Sequence, residues 1–338
     1  KSTLFRALTK KQVPAENFPF CTIDPNVGVV AVPDERLDKL AQISKSEKTI
    51  PTTIEFVDIA GLVKGSHKGE GLGNKFLANI REVDAVAHVV RNFKDGKVTH
   101  VENRVDPESD EAIIMLELAM ADLATVERRL KDERSKAKSG DKSAVLAAGA
   151  LEKIKAELDN GTPARGADLI GAEKESVREL SLITAKPMLR VLNVDESEAA
   201  REPKQANEVI ISAKIESELA ELPPEDARSM MADLGLQASG LDRLITASYG
   251  LLNLITFFTS GPKETRAWTV ENGSTAPQAA GKIHTDFEKG FIRAEVISWQ
   301  DFVELGGEHG AKEKGKMRLE GKEYVVKDGD VCYFRFAT

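Results

Sequence analysis

Residues 52–73, TTIEFVDIAGLVKGSHKGEGLG, constrain the fold more than any other stretch. Ile54-Glu55-Phe56-Val57 has the β-branched and aromatic content of a buried strand. The run ends at Asp58, and after Ile59-Ala60-Gly61 the chain becomes a loop of glycines and small polar residues. A strand that delivers an Asp at its carboxyl end into such a loop has the geometry of a site. Open α/β sheets bind their ligands outside the carboxyl ends of their strands. Taken alone, D-x-x-G is short, and it also fits a buried strand followed by an ordinary loop.

The chain before and after this segment repeats the pattern. It begins Lys1-Ser2-Thr3, then presents an apolar face at Leu4, Phe5 and Leu8. G-K-[ST] closes a phosphate-binding P-loop that runs into a helix, so a strand and glycines are expected ahead of Lys1. In that reading Lys1 reaches the β- and γ-phosphates and the Ser2 hydroxyl ligates Mg²⁺. Three residues alone also fit an unremarkable terminal tripeptide. Residues 17–26, NFPFCTIDPN, form a proline-punctuated loop with Thr22 inside it. Thr22 is either a strand-edge residue or the mobile-loop threonine that meets Mg²⁺ and the γ-phosphate.

A strand at 27–32, a helix at 36–43, the strand at 52–58, a helix at 74–82 and a strand at 85–90 alternate as a parallel sheet requires. His88, inside the last of these, reads as a satisfied core residue rather than a catalyst. A strand at 187–192 ends at Asn193-Val194-Asp195-Glu196, and Ile210-Ile211 ends at Ser212-Ala213. The connection 197–208 is short for a parallel crossover, which points to residues missing there. Helices over 216–236 and 240–252 close this domain.

Between these halves the periodicity lengthens. Residues 110–134 repeat apolar positions at helical spacing, and after Ser139-Gly140-Asp141 a second helix runs to about 158. Together they predict a projecting αα-hairpin. Its tip carries Arg128, Arg129, Lys131, Arg134, Lys136, Lys138 and Lys142 against Glu127, Asp132, Glu133 and Asp141. An ion-paired solvated face and an RNA-binding tip both fit. Beyond Phe258, strands at 265–270, 291–297, 316–320, 324–326 and 331–336 and a helix at 276–283 predict a compact α+β domain.

Composition removes other classes. The 338 residues are 30% charged and 41% apolar, as in a globular protein. No apolar run approaches the roughly 20 residues of a membrane span. Cys21 and Cys332 are the only cysteines, which fits a reducing cytosol and no disulfide or cysteine zinc framework. The net charge of −8 argues against a surface that binds nucleic acid throughout, while leaving room for a local basic patch.

Taken in order, Lys1-Ser2-Thr3, Thr22, Asp58-x-x-Gly61, Asn193-x-x-Glu196 and Ser212-Ala213 form the layout of a GTPase-type nucleotide site. The departure lies in the base-reading motif, ordinarily N-K-x-D. Here Val194 stands for the Lys and Glu196 for the Asp. A carboxylate one methylene longer misfits the paired donors of guanine, and an unpaired buried donor is costly. ATP is therefore expected over GTP.

These segments resemble the Obg-like ATPase family known as YchF. NFPFCTIDPN, FVDIAGLVKGSHKGEGLGNKFLANIRE, the N-x-x-E motif and HTDFEKGFIRAEVI carry the resemblance across essentially the whole chain. It implies an α/β P-loop nucleotide hydrolase domain of GTPase type over 1–106 and 186–255, with a helical hairpin inserted at 107–185. Residues 256–338 would then form a TGS domain of β-grasp fold. It also implies ATP hydrolysis, Mg²⁺, association with ribosomes and a link to the oxidative-stress response. Carried over by position, Lys1, Ser2 and Thr3 hold phosphates, Ser2 and Thr22 ligate Mg²⁺, and Asn193 and Val194 contact the base. Asp195 departs from the neutral residue more usual in the family.

Catalysis is the least legible part. Leu62 occupies the position where relatives of Ras place the glutamine that orients water, and it offers no hydrogen bond. Positioning and Mg²⁺ are expected to carry a slow turnover, raised by K⁺, the ribosome or another partner. Asp58 is expected to approach Mg²⁺ through water and Gly61 to offer its N–H to the γ-phosphate, in a loop that stays mobile until something docks. The overall expectation is a cytoplasmic, monomeric, ribosome-associated ATPase that contacts rRNA through the hairpin tip and the C-terminal domain. A GTPase of the same fold and a ribosome- or RNA-binding module with incidental nucleotide binding are the alternatives.

Overall fold

The computed structural model describes residues 1–11, 26–59, 72–94 and 105–337. The chain divides into two compact units, one of Lys1 with Val57–Ile215 and one of Ser2–Phe56 with Glu216–Thr338.

The second unit begins with α1 (Ser2–Lys10), which buries Leu4, Ala7 and Leu8. It lies against β1 (Val27–Ala31) at Gly28. A Cβ there would sit 3.0 Å from Leu8 Cδ2, so a close approach of helix to strand selects glycine. α2 (Glu35–Ser44) starts where the Asp34 carboxylate accepts from the Arg36 N–H and stops at Lys45, whose φ of 52° is left-handed. β2 (Lys48–Ile50) and β3 (Thr53–Val57) follow. β1 and β3 pair in a two-stranded sheet.

The first unit contains α3 (Leu72–Glu82), β4 (Val86–Asn92), α4 (Pro107–Ala137), α5 (Lys142–Asp159), α6 (Gly171–Val177), β5 (Met188–Val194) and β6 (Glu208–Ile211). The three strands form a parallel sheet in the order β4-β5-β6. Leu77 and Ile80 of α3 join Leu118 and Ala121 of α4 and Ile183 in one apolar cluster. α4 and α5 form the expected hairpin. Asp106 caps α4 ahead of Pro107, and Asp141 caps α5 by accepting from Ser143 and Ala144 N–H. The hairpin has a core of its own, including Val126, Leu130, Leu151, Ile154 and Leu158, extended by Ala164, Val177 and Leu182. Buried Asp122 ties it to the 3₁₀ turn Ile183–Ala185 that leads into β5. Its carboxylate accepts from the N–H of Ile183 and Thr184 and from the Thr184 hydroxyl.

The second unit resumes with α7 (Ala213–Leu219, starting in the first unit), α8 (Pro224–Asp233) and α9 (Gly240–Leu251). One helix over 216–236 was the sequence expectation. Pro223-Pro224 divides it, because the second proline suits the first turn of a helix but not its interior. Then come β7 (Leu254–Ser260), β8 (Glu264–Glu271), α10 (Ala276–Ile283), α11 (Thr285–Lys289), β9 (Phe291–Ser298), α12 (Trp299–Glu304), α13 (Glu308–Glu313), β10 (Arg318–Glu320) and β11 (Asp330–Phe336). Their strands join β2 in a mixed six-stranded sheet ordered β10-β9-β11-β7-β8-β2. β7 and β11 are parallel, and β7–β8, β9–β11 and β9–β10 are antiparallel. The segment 324–326 does not pair with 318–320 across the turn. It contributes a single bridge, Val325 to Thr275.

Candidate functional site

The parallel register of β4, β5 and β6 brings three strand ends together. Arg91 lies beside Asn193, and Asn193 beside Ile211. Polar residues that follow these strands therefore gather at one end of the sheet, where α/β folds place ligands. Asn193 is only 7% exposed, and its Oδ1 accepts from the Ala213 N–H at 2.9 Å. That bond ties the end of β5 to the start of α7, beside the buried Ser212 and Ala213.

The neighbours of Asn193 divide by orientation. Val194 is 2% exposed and belongs to an apolar cluster with Val90, Leu192 and Ile210. Its side chain packs against the sheet, where the alternation of a strand turns it inward. Asp195 Oδ2 accepts from the Lys94 N–H at 3.3 Å. Glu196 opens a short 3₁₀ turn, and its Oε1 accepts from Lys214 Nζ at 2.5 Å. Neither Lys94 nor Lys214 was singled out by sequence reasoning. The legible signal for Lys214 was its place directly after Ser212-Ala213.

At the phosphate side of the proposed layout, Lys1 Nζ lies 3.0 Å from Asp58 Oδ1 and also donates to the Ile59 carbonyl. The candidate P-loop cation and the Asp of D-x-x-G thus meet within the first unit, 57 positions apart in sequence. Ser2 and Thr3 open α1 in the second unit, both exposed. Thr22, with residues 17–25 around it, and Gly61 and Leu62, with the chain to residue 71, lie outside the described residues.

Behind the strand ends runs a polar ladder. His88, Arg190 and Glu208 are register neighbours across β4, β5 and β6. Arg190 bonds to Glu111 at 2.7 Å and to Glu208. Burial would raise the Glu208 carboxyl, but the Lys204 N–H and the Arg190 guanidinium outweigh it and hold it below the usual range. His88 is half-buried, and its Nδ1 finds no hydrogen-bond partner among the described residues. It is therefore not the satisfied core histidine expected. Burial lowers its pKa, Glu111 opposes the shift and Arg190 reinforces it.

An Mg²⁺ ion fits the donors present. Asp58 offers a partly exposed carboxylate, a hard oxygen donor of the kind Mg²⁺ selects. Among the described residues no group of three or more His, Cys, Asp or Glu forms an all-protein cage.

Known proteins match this chain from end to end. A family model described as a 50S ribosome-binding GTPase covers residues 1–126. A C-terminal model of YchF-type GTPases, described as a protein of unknown function, covers 254–337. A ribosome-binding ATPase YchF of Escherichia coli O157:H7 is 54% identical over 347 residues, covering 99% of this chain and 96% of that one. The protein of the same name from Bacillus subtilis is 51% identical over 350 residues, covering 99% and 96%. Obg-like ATPase 1 of rice (Oryza sativa subsp. japonica) is 44% identical, covering 99% and 89%. The solved structure of the Schizosaccharomyces pombe YchF GTPase superposes with a TM-score of 0.85 at 37% identity, covering 99% of this chain and 94% of that one. A P-loop GTPase-type domain interrupted by a helical hairpin and followed by a C-terminal domain is thus the architecture, and the chain belongs to the YchF family.

Proposed function

We propose that this protein binds ATP and hydrolyses it slowly in association with the ribosome. The observation that carries the reading is the meeting of Lys1 with Asp58 Oδ1 at 3.0 Å. A P-loop lysine and the Asp of D-x-x-G act on the same phosphate–magnesium unit, so their proximity fits one catalytic centre. The matched relatives named ribosome-binding ATPases support the substrate and the partner.

In this reading Lys1, Ser2 and Thr3 hold the phosphates. Ser2 and Thr22 ligate Mg²⁺, Asp58 reaches it through water, and Gly61 donates its N–H to the γ-phosphate. When bound, Mg²⁺ neutralises charge developing between the β- and γ-phosphoryl oxygens. Asn193, Val194, Glu196, Ser212 and Ala213 hold the base. Leu62 leaves the attacking water without the usual glutamine, so turnover is slow and responds to a docked partner or to K⁺. The protein works as a cytoplasmic monomer. The C-terminal unit serves as a TGS domain, and with the hairpin tip it faces ribosomal RNA.

The descriptions of one matching model and one solved relative as GTPases favour a second reading, GTP as the substrate. Calorimetry of the full chain with non-hydrolysable ATP and GTP analogues and Mg²⁺ decides between them. The expected outcome is tighter ATP binding, lost by at least about tenfold in Lys1→Ala, since a buried-phosphate cation contributes more than about 1.4 kcal/mol. Tighter GTP binding would establish the second reading, and no binding of either would refute both.

A further inference from the structure

In the first unit one short segment, residues 182–186, grips two helices at once. It consists of the 3₁₀ turn Ile183–Ala185 and its flanks, just ahead of β5. On one side stands Asp122 of α4. Its carboxylate accepts from the Ile183 N–H at 3.0 Å and from the Thr184 N–H and hydroxyl at 2.7 Å each. Asp122, Ile183 and Thr184 are fully buried. On the other side Lys186 Nζ donates to the Arg81 carbonyl at 2.9 Å and to the Val83 carbonyl, closing the C-terminal end of α3. The two helices also meet directly. Arg81 donates to the Thr125 hydroxyl at 3.2 Å, and Leu77 and Ile80 pack with Leu118 and Ala121.

The two helices lead to different places. α3 follows the Asp58-x-x-Gly61 segment in sequence, and α4 is the first arm of the hairpin. Asp122 stands at the middle of the 31 residues of α4. At 1.5 Å rise per residue the tip at Lys138 is about 24 Å away from it. Between the two the hairpin packs as one piece, because Val126, Leu130, Leu151, Ile154 and Leu158 close a core of their own. A displacement of the tip is therefore delivered to the first anchored point, the knot of Asp122 and Thr184. A buried carboxylate with three donors does not yield by degrees, since each donor it loses leaves a buried polar group unpaired. Thr125, three residues nearer the tip on the same helix face, carries the link onward to α3.

The geometry points to a coupling device. Asp122 and Thr184 are positioning residues through which a ribosome engaging the hairpin tip shifts α3 and thereby changes the rate of ATP hydrolysis. The inference rests on the reading of the chain as a slow ATPase whose turnover responds to the ribosome. It adds the residues that carry the response, which stand outside those assigned to the nucleotide and outside the tip.

The test measures ATP turnover of the full chain with and without purified ribosomes, alongside cosedimentation and thermal melts. Wild type is compared with Thr184→Val, Thr184→Ser and Thr125→Val. Thr184→Val removes one donor from the buried carboxylate at nearly constant volume, and Thr184→Ser puts it back. Thr125→Val cuts the Arg81 link at a half-buried position and carries the test if Thr184→Val does not fold. Ribosomes are expected to accelerate wild type. In the valine variants that acceleration is expected to fall by at least about twofold, the low end of such coupling changes. Turnover without ribosomes and cosedimentation are expected to stay as in wild type, and Thr184→Ser to keep the acceleration. A merely structural role would lower turnover with and without ribosomes in the same proportion, and that result overturns the proposal. An acceleration that survives in every folded valine variant also overturns it, while leaving the ribosome-responsive reading in place. If ribosomes do not change the turnover of wild type, that reading fails and the proposal with it.

Discussion

His88 shows how a residue of ordinary appearance acquires a measurable property from its neighbours. It sits in the middle of β4 beside Arg190, with Glu111 of α4 also acting on it. Burial and Arg190 disfavour the imidazolium, Glu111 favours it, and the net effect lowers the pKa. The sign then follows from linkage. Well above pH 6.5 His88 is neutral in folded and unfolded chains alike, so it contributes no pH dependence there. Below that value the unfolded chain takes up a proton that the folded one resists, and stability falls as pH falls. Urea denaturation of wild type and His88→Gln at pH 7.5 and pH 5.5 checks this. Wild type is expected to lose more stability on acidification than the variant; equal losses would show that other groups dominate. The sequence placed His88 correctly in a strand but could not show that Nδ1 would lack a partner among the described residues, because that depends on which groups cross the sheet.

Among the elements, α2 and β2 carry the largest difference between sequence order and packing. They fall between Thr22 and Asp58, inside the stretch that reads as nucleotide-binding. Yet β2 pairs in parallel with β8, placing Thr49 beside Thr265, and the Glu47 N–H donates to the Pro262 carbonyl at 2.9 Å. Leu37 and Leu40 of α2 share a core with Phe258, Ala267, Ile297, Phe302 and Val331. Arg36 reaches Asp328 at 2.5 Å and lies over the Phe258 ring. A helix of ten residues cannot announce which sheet it covers, since its apolar stripe fits any flat apolar face. Leu40 is fully buried. Leu40→Ala is expected to destabilise the unit containing the six-stranded sheet by about 2–5 kcal/mol. Hydrogen exchange should locate the loss in β7, β8 and β11; a loss confined to β4, β5 and β6 would contradict this assignment.

For the molecule as a whole, the proposed association with the ribosome has to be reconciled with a net charge of −8. The hairpin tip supplies a local answer. Arg129 pairs with Glu133 and Glu179, Arg134 with Glu152, and Lys136 with Glu133. Arg128, Lys131, Lys138 and Lys142 are exposed and have no carboxylate partner among the described residues. Arg128 and Lys131 lie one turn apart on α4, Lys138 is its C-cap residue, and Lys142 opens α5. The sequence count mixed paired with unpaired cations, and only the fold separates them. Replacing these four by glutamine is expected to weaken cosedimentation with ribosomes. The slope of log affinity against log salt should fall by up to about three, the counterion release of four phosphate contacts. An unchanged slope would return the tip to a solvated face.

The sequence by itself determined the order of strands, the Asp and Asn at their carboxyl ends, the hairpin and the α+β texture of the last eighty or so residues. These are legible because periodicity, caps and strand-end residues are local properties of the chain. Tertiary structure alone decided that Asn193 bonds to Ala213, that Val194 turns into the sheet, that Lys214 pairs with Glu196, and that α2 and β2 join the second unit. Each of these depends on which distant segment arrives beside the residue. Register fixes that arrival in the parallel sheet, and competition among apolar faces fixes it for the helices.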